Sequence, residues 1–406
     1  MSKIILHIDL NQFFVRCEEI KNPSLIGKAV IIGGEGRCGI VSTCSYKARE
    51  YGIHSGMPTF QAKMLCKNVI ILPVDYKFYG LLSKEFINYI KQYSKNIEQM
   101  SIDECFVDLT ETYKKNKITN INKFLTDLQQ GLFKKTQLKC SIGVAPTKFL
   151  AKMGSDIKKP MGITIIRKRD IPNIIFPLKI SSFFGIGKKT YPRLEEIGIN
   201  TIGDLYNAIL SNNNDVKDII GNFSDSIKDE LDGNSNDIVE SQRSDPKSIG
   251  VSRTFDHDTQ NTVEIKDYLL FLAKGVIESM ILEDKMCQTI TIIYKNAEYI
   301  DDRFSSKSYS KSFKNPTNNK DTILLAASDL FDKTYKGQII RLIGFTVKNF
   351  KNMNNAVVQM TFDNYKLNEK ENEIGLLINQ LNREINKDTF LRLSDLDSEK
   401  VKKWKY

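Results

Sequence analysis

Met100-Ser101-Ile102-Asp103-Glu104-Cys105-Phe106-Val107-Asp108 sets two adjacent carboxylates, Asp103 and Glu104, between apolar residues. Far upstream, His7-Ile8-Asp9-Leu10-Asn11 places a third carboxylate at the end of an apolar run. Neighbouring acids repel each other, so a fold that keeps them together usually supplies cations. An isolated Asp-Glu pair most often sits in a solvated turn. Ile102, Phe106 and Val107 argue against that here, because they read as a buried strand. Three carboxylates on neighbouring strands make a magnesium site of the kind used in phosphoryl transfer.

Outward from this stretch the pattern is regular. Residues 3–10 read as a buried strand, and residues 11–20 as a short helix with Phe13, Phe14 and Cys17 at helical spacing. Ala29-Val30-Ile31-Ile32 and Gly39-Ile40-Val41-Ser42-Thr43 are short strands around a turn, Gly33-Gly34-Glu35-Gly36. That turn lacks the G-K-[ST] ending of a P-loop. Helical spacing covers residues 77–93, a strand pair covers 97–102 and 105–109, and a second amphipathic helix covers 121–133. A strand at 140–144 and a helix at 147–156 complete a β-α-β-β-α-β order like that of a ferredoxin-like domain. Asp108 lies five residues past Asp103, on the opposite strand face under regular pairing, and reads as structural.

Phe183-Phe184-Gly185-Ile186-Gly187-Lys188-Lys189 has the look of a helix-hairpin-helix turn, in which glycine lets backbone N–H groups approach a phosphate. Pro192 requires the following helix to start near it or bend there. Residues 232–245 are polar and rich in Gly, Asn and Ser, and read as a linker. A β-rich region then opens at Pro246, with helices at 265–280 and 322–335 and strands at 289–294 and 340–350. Residues 303–314 alternate, and Lys307, Tyr309 and Lys311 share one strand face.

At 406 residues, several domains are expected. The net charge of +10 favours a polyanionic partner, though an acidic membrane surface or protein would also fit. No run of 18 apolar residues predicts a membrane helix, and the N-terminal apolar run is too short for a signal peptide. Seven scattered cysteines, with no C-x-x-C pair, predict reduced thiols in a cytoplasmic protein. Three histidines, none near a cysteine pair, argue against a zinc site.

Four blocks in order, HIDLNQFF from His7, STCSYKAREYGIHSGMP from Ser42, SIDECFVDLT from Ser101 and SIGVAPTKFLAKMGSDIKKPMGI from Ser141, resemble the Y family of DNA polymerases, the translesion class. The likeness runs over residues 3–350. It implies an α+β right-hand polymerase: a ferredoxin-like palm at 1–11 and 74–166, small inserted fingers at 12–73, and a helical thumb with its helix-hairpin-helix at 167–235. A linker at 236–247, a β-α little finger at 248–352 and a tail at 353–406 would follow.

The resemblance also implies roles. Asp9, Asp103 and Glu104 would be catalytic and, with the Leu10 carbonyl, would hold two Mg2+ ions. Asn11 stands where some relatives have an acid and is not expected to bind metal. Thr43, Tyr46, Arg49 and Lys159 would bind the triphosphate, with Tyr46 and Arg49 on one face of a helical turn. Phe14 would be the steric gate that excludes ribonucleotides, and Phe13 a core aromatic. Gly185, Gly187 and Lys188, then Lys247, Ser248, Arg253, Arg303, Lys307 and Lys311, would touch the DNA backbone. Val358-Gln359-Met360-Thr361-Phe362 resembles the peptide by which bacterial polymerases dock on a sliding clamp, with Gln359, Met360 and Phe362 as anchors; a plain strand is the alternative.

The implied partners are primer-template DNA, deoxynucleoside triphosphates and the clamp, and the chain is expected to be a monomer. Two other readings stay open. A non-catalytic DNA- and clamp-binding accessory would keep the fold but not need the whole residue set. A metal-dependent nuclease would share the carboxylates but not need the triphosphate residues or Phe14.

Overall fold

A computed structural model describes residues 3–221, 223–234, 238–242, 244–300 and 303–352. The chain divides into two compact units, Met1–Ser244 and Asp245–Tyr406.

The first unit begins with β1 (Ile5–Leu10) and α1 (Phe13–Lys21). β2 (Val30–Gly33), β3 (Val41–Cys44), α2 (Tyr46–Arg49), α3 (Thr59–Leu65) and β4 (Ile70–Leu72) follow. Then come α4 (Tyr76–Ile90), β5 (Ile97–Gln99), β6 (Glu104–Asp108), α5 (Thr110–Lys115), α6 (Ile121–Thr136), β7 (Cys140–Ala145), α7 (Lys148–Ile157) and β8 (Ile163–Ile165). Short helices complete it: α8 (Ile171–Ile174), α9 (Tyr191–Glu196), α10 (Ile202–Leu210), α11 (Asn214–Ile220) and α12 (Phe223–Leu231).

Its main sheet runs β5-β6-β1-β7-β8. β1 is buried on both faces, which is why its apolar run is nearly continuous. Leu6, Ile8 and Leu10 join Phe86, Ile90, Leu125 and Leu128 of α4 and α6 in one core. Ile5, His7 and Asp9 face α7. That helix lies close because a Cβ on Gly143 would collide with the Ala151 carbonyl. A second sheet, β3-β2-β4, carries its own small core of Ile31, Val41, Cys44, Ala48, Ile53 and Ala62. This sheet arises from the segment between β1 and α4.

Two expectations shift in detail. The strand expected over 97–102 stops at Gln99, because residues 100–103 turn and the Met100 N–H returns to the Glu104 carbonyl. Glu104 therefore opens β6, while Asp103 precedes it. Pro192 falls in the first turn of α9, where its missing N–H costs nothing, so the helix starts at it rather than bending.

The second unit is β9 (Ser248–Thr259), α13 (Thr262–Leu282), β10 (Lys285–Ile300), β11 (Arg303–Thr317), α14 (Lys320–Thr334) and β12 (Ile340–Asn352). Its antiparallel sheet runs β11-β10-β12-β9. Ile290, Ile292, Tyr294, Ile343, Phe345 and Val347 bury one face beneath Leu269, Leu272 and Ala273 of α13 and Ile323, Ala327 and Phe331 of α14. No helix of the described residues is long and apolar enough to cross a membrane. All seven cysteines are free thiols.

Candidate active site

Asp9 and Glu104 are cross-strand partners on β1 and β6. Asp103 sits just before β6, its carbonyl accepting the Leu10 N–H at 2.9 Å and its carboxylate the Ser101 hydroxyl at 2.6 Å. Asp9 and Glu104 are thus neighbours across two strands, and Asp103 is the residue just before Glu104. Asp108 is elsewhere: its carboxylate accepts the Thr110 N–H at 2.8 Å and helps start α5.

Each of the two paired acids is held by cations. Lys159 Nζ lies 2.9 Å from Asp9 Oδ1 and 2.6 Å from Asp156 Oδ1. Burial raises the Asp9 pKa above the usual carboxylate value, with Lys159 and His7 opposing it and Asp103 adding to it. Glu104 goes the other way. His7 Nε2 stands 3.2 Å from Glu104 Oε2, without hydrogen-bond geometry, and Lys152 Nζ stands 2.5 Å from the same oxygen. The His7 ring first, then Lys152, hold the Glu104 carboxyl down at about 2 against burial. His7 is fully buried, and its Nδ1 meets the Ser155 hydroxyl at 2.8 Å. Ser155 in turn donates to the Lys152 carbonyl at 2.8 Å.

No group of three or more His, Cys, Asp or Glu among the described residues is gathered tightly enough to hold a metal ion. The donor set is nevertheless of the right kind for magnesium, all carboxylate and carbonyl oxygen, and the half-buried Asp9 is stabilised by a cation beside it. Lys159 fills that role for Asp9, as Lys152 does for Glu104.

Ser45 caps α2 through its hydroxyl, so Tyr46 and Arg49 project from one turn, with the Arg49 guanidinium 5.0 Å from the Tyr46 ring centre. Burial raises the Tyr46 pKa, with Arg49 and Lys159 opposing it and Asp9 and Asp156 adding to it. Gln12, in left-handed conformation at φ 43°, accepts the Tyr46 N–H at 2.8 Å and so ties the inserted sheet to the end of β1. Thr43 is half-buried on β3, paired with Ile32. Phe14 is half-buried and lies flat on Tyr79, centroids 4.6 Å apart, with Tyr76 edge-on at 5.9 Å. Phe13 is core, as expected.

The hairpin loop buries Phe183 and Ile186 and leaves Gly185, Gly187 and Lys188 exposed. Gly185 has φ 102°, a conformation that a side chain would strain. In the second unit, Lys247 and Ser248 are exposed. The stripe of Lys307, Tyr309 and Lys311 lies on the helix-bearing face, where register pairs it with Tyr294, Ile292 and Ile290. Lys311 Nζ stands 3.7 Å from Asp329 of α14, and Arg253 reaches the Tyr268 hydroxyl of α13 at 3.4 Å. The opposite face carries Ser306, Ser308, Ser310 and Ser312, with Thr289, Thr291, Thr346 and Lys348 beside them. In the sequence this face is marked by a serine at every second position from Ser306 to Ser312. Arg303 heads β11, and its side chain is outside the described residues, as are Gln359, Met360 and Phe362. Sequence reasoning also passed over His7, Lys152 and Ser155.

Comparisons with known proteins show the family. Residues 8–156 match the impB/mucB/samB family, and residues 246–362 match its C-terminal domain. The chain is 35% identical over 384 residues to DNA polymerase IV of Bacillus velezensis, covering 94% of this chain and 90% of that one. It is 34% identical over 385 residues to DNA polymerase IV 1 of Bacillus subtilis, with the same coverage. Among solved structures, a Y-family DNA polymerase chimera of Dbh and Dpo4 superposes with a TM-score of 0.74 at 26% identity, over 86% of this chain and 99% of that one. An insertion ternary complex of Dbh DNA polymerase gives 0.58 at 26% identity, with the same coverage. With its two halves matched in order and relatives aligned over nearly its whole length, the protein belongs to the Y family and is a DNA-directed DNA polymerase.

Proposed function

We propose that this polymerase is of the error-prone translesion type, adding deoxynucleotides to a primer 3′ end past damaged bases, by a two-metal mechanism and without proofreading. What supports the reading is the pairing of Asp9 with Glu104 across β1 and β6, with Lys159 on Asp9, and the α2 turn bearing Tyr46 and Arg49 that Gln12 ties to the end of β1. A nuclease needs the acids but not a cluster of triphosphate partners beside them.

Asp9, Asp103, Glu104 and the Leu10 carbonyl would hold the two Mg2+ ions, which when bound supply charge neutralisation at the attacking 3′-oxygen and the leaving pyrophosphate. The other steps belong to the chain. Lys159, Arg49, Tyr46 and Thr43 bind and orient the triphosphate, and the cations count for more as charge moves onto pyrophosphate. Phe14, braced on Tyr79, fills the space at the sugar C2′ and selects deoxynucleotides by shape. Gly185, Gly187 and Lys188 and the serine face of the second unit hold the DNA backbone without reading sequence. The basic excess makes that binding salt-sensitive. Gln359, Met360 and Phe362 would tether the enzyme to a sliding clamp.

The test is single-nucleotide incorporation with magnesium opposite normal, abasic and alkylated templates. Asp103→Ala should lower incorporation by roughly a thousandfold or more, as loss of a metal ligand does, while primer-template affinity stays within a few-fold. Incorporation opposite the normal template but none opposite the abasic or alkylated ones would overturn the translesion reading.

A further inference from the structure

Lys159 does not reach Asp9 from a helix. It lies two residues past the end of α7, in the loop that leads to β8. Loop residues hold a position only when something fixes their backbone. Here the fixing point is Met161, a non-glycine residue at φ 59°. Such a left-handed residue costs free energy and persists only where its surroundings demand it.

Both sides of Met161 are gripped by buried side chains from distant elements. Its N–H donates to Asn11 Oδ1 at 2.8 Å. Its carbonyl accepts from Gln129 Nε2 at 3.0 Å. Asn11 is 2% exposed and is itself anchored, Nδ2 donating to the Ser141 hydroxyl at 2.9 Å and its backbone N–H to the Lys139 carbonyl at 2.7 Å. Gln129, on α6 and 6% exposed, also donates to the Cys140 carbonyl at 2.8 Å. One side chain therefore comes from the residue two places past Asp9, and the other from the helix beneath the sheet. Neither touches the triphosphate residues.

We infer that Asn11 and Gln129 are positioning residues: they clamp the Met161 peptide and thereby aim Lys159 at Asp9 and at the phosphates of the incoming nucleotide. This rests on the reading of Lys159 as a triphosphate partner. It gives Asn11 work that its substitution for an acid left unexplained. An amide offers both an acceptor for the Met161 N–H and a donor for Ser141; a carboxylate offers no donor.

The experiment is a double-mutant cycle on nucleotide binding. Wild type, Gln129→Ala, Lys159→Ala and the double variant are compared for dCTP affinity on a dideoxy-terminated primer-template, where no chemistry occurs, and for KM and kcat on an extendable primer. Gln129→Ala should weaken dCTP binding roughly five- to tenfold, the scale of a misplaced charge-assisted contact, with DNA affinity unchanged. In the Lys159→Ala background the same substitution should change dCTP affinity less than twofold, because the clamp acts through Lys159. Asn11→Ala should behave like Gln129→Ala. Equal losses in both backgrounds, or no loss in the wild-type background while Lys159→Ala is impaired, would overturn the clamp. If Lys159→Ala itself binds dCTP normally, the assignment of Lys159 fails, and that outcome is distinct from the other two. A Gln129→Glu variant, which keeps shape but loses the donor, covers the case in which Gln129→Ala does not fold.

Discussion

The sheet β5-β6-β1-β7-β8 and the sheet β11-β10-β12-β9 each bury one apolar face under two helices, α4 with α6 in the first and α13 with α14 in the second. Their other faces differ. In the first, α7 covers the middle, and Asp9 and Glu104 are left at the strand ends among Lys159, Lys152 and His7. In the second, the register rows hold Ser312, Thr289, Lys348 and Ser248, then Ser310, Thr291, Thr346 and Gly250, with no acid among them. Thr289 bonds to Ser312 at 3.0 Å and Thr291 to Ser310 at 2.8 Å, so the hydroxyls satisfy one another until something displaces them. The lesson is that helix-backed sheets can share a plan while the outward residues divide the labour. Partly buried acids are costly and are kept where a cation will do chemistry. Hydroxyls cost little, repel no phosphate and adapt to any sequence.

The comparison sharpens at the sugar. Phe14 belongs to the unit that carries the acids, stacked on Tyr79 of α4, so a change there should alter what is polymerised and not how DNA is held. Phe14→Val should cut the preference for deoxynucleotide over ribonucleotide, read as the ratio of kcat/KM values, on the order of a hundredfold, because the clash with the ribose hydroxyl is lost. An unchanged ratio would make Phe14 a core aromatic stacked on Tyr79 and nothing more.

A smaller effect concerns acid stability of the metal-free protein. Glu104 is depressed from its ordinary 4.5 to about 2. A carboxyl lowered on folding contributes stability that is complete above its unfolded value and lost as pH falls through its folded one. The melting-temperature gap between wild type and Glu104→Gln should therefore stay constant above about pH 5 and shrink below about 4.5. A gap that holds steady from pH 5 to 3 would remove His7 and Lys152 as the partners that hold the carboxylate. The hydroxyl face, with nothing to titrate, should give no such slope.

Much of the first sheet was legible. Continuous apolar runs at β1 and β7 and helical spacing at α4, α6 and α7 are local signals that tertiary packing reinforces. The meeting of Asp9 with Glu104 followed from reading two strands as neighbours. In the second sheet the alternation was legible but not which phase faces the helices, because Lys307, Tyr309 and Lys311 alternate as regularly as the serines between them. Charge suggested solvent there, but Tyr309 packs on the core, and a long lysine stem can lie along an apolar edge with its head in water. The residues that support the site were not legible. His7 reaches Ser155 across 148 positions, and Asn11 reaches Met161 across 150. No periodicity encodes hydrogen bonds at that distance.

The central claim is that chemistry and DNA holding are written on different sheets. The direct measurement is incorporation rate at saturating DNA, together with primer-template Kd across a salt series, for Glu104→Gln and for Ser308→Asp/Ser310→Asp. The account predicts that Glu104→Gln loses most of the rate and keeps its Kd within a few-fold. It predicts that the serine double variant keeps its rate while its Kd rises roughly tenfold, since two anions are set against phosphates. A serine variant with unchanged Kd, or a Glu104→Gln protein that incorporates at the wild-type rate, would contradict it.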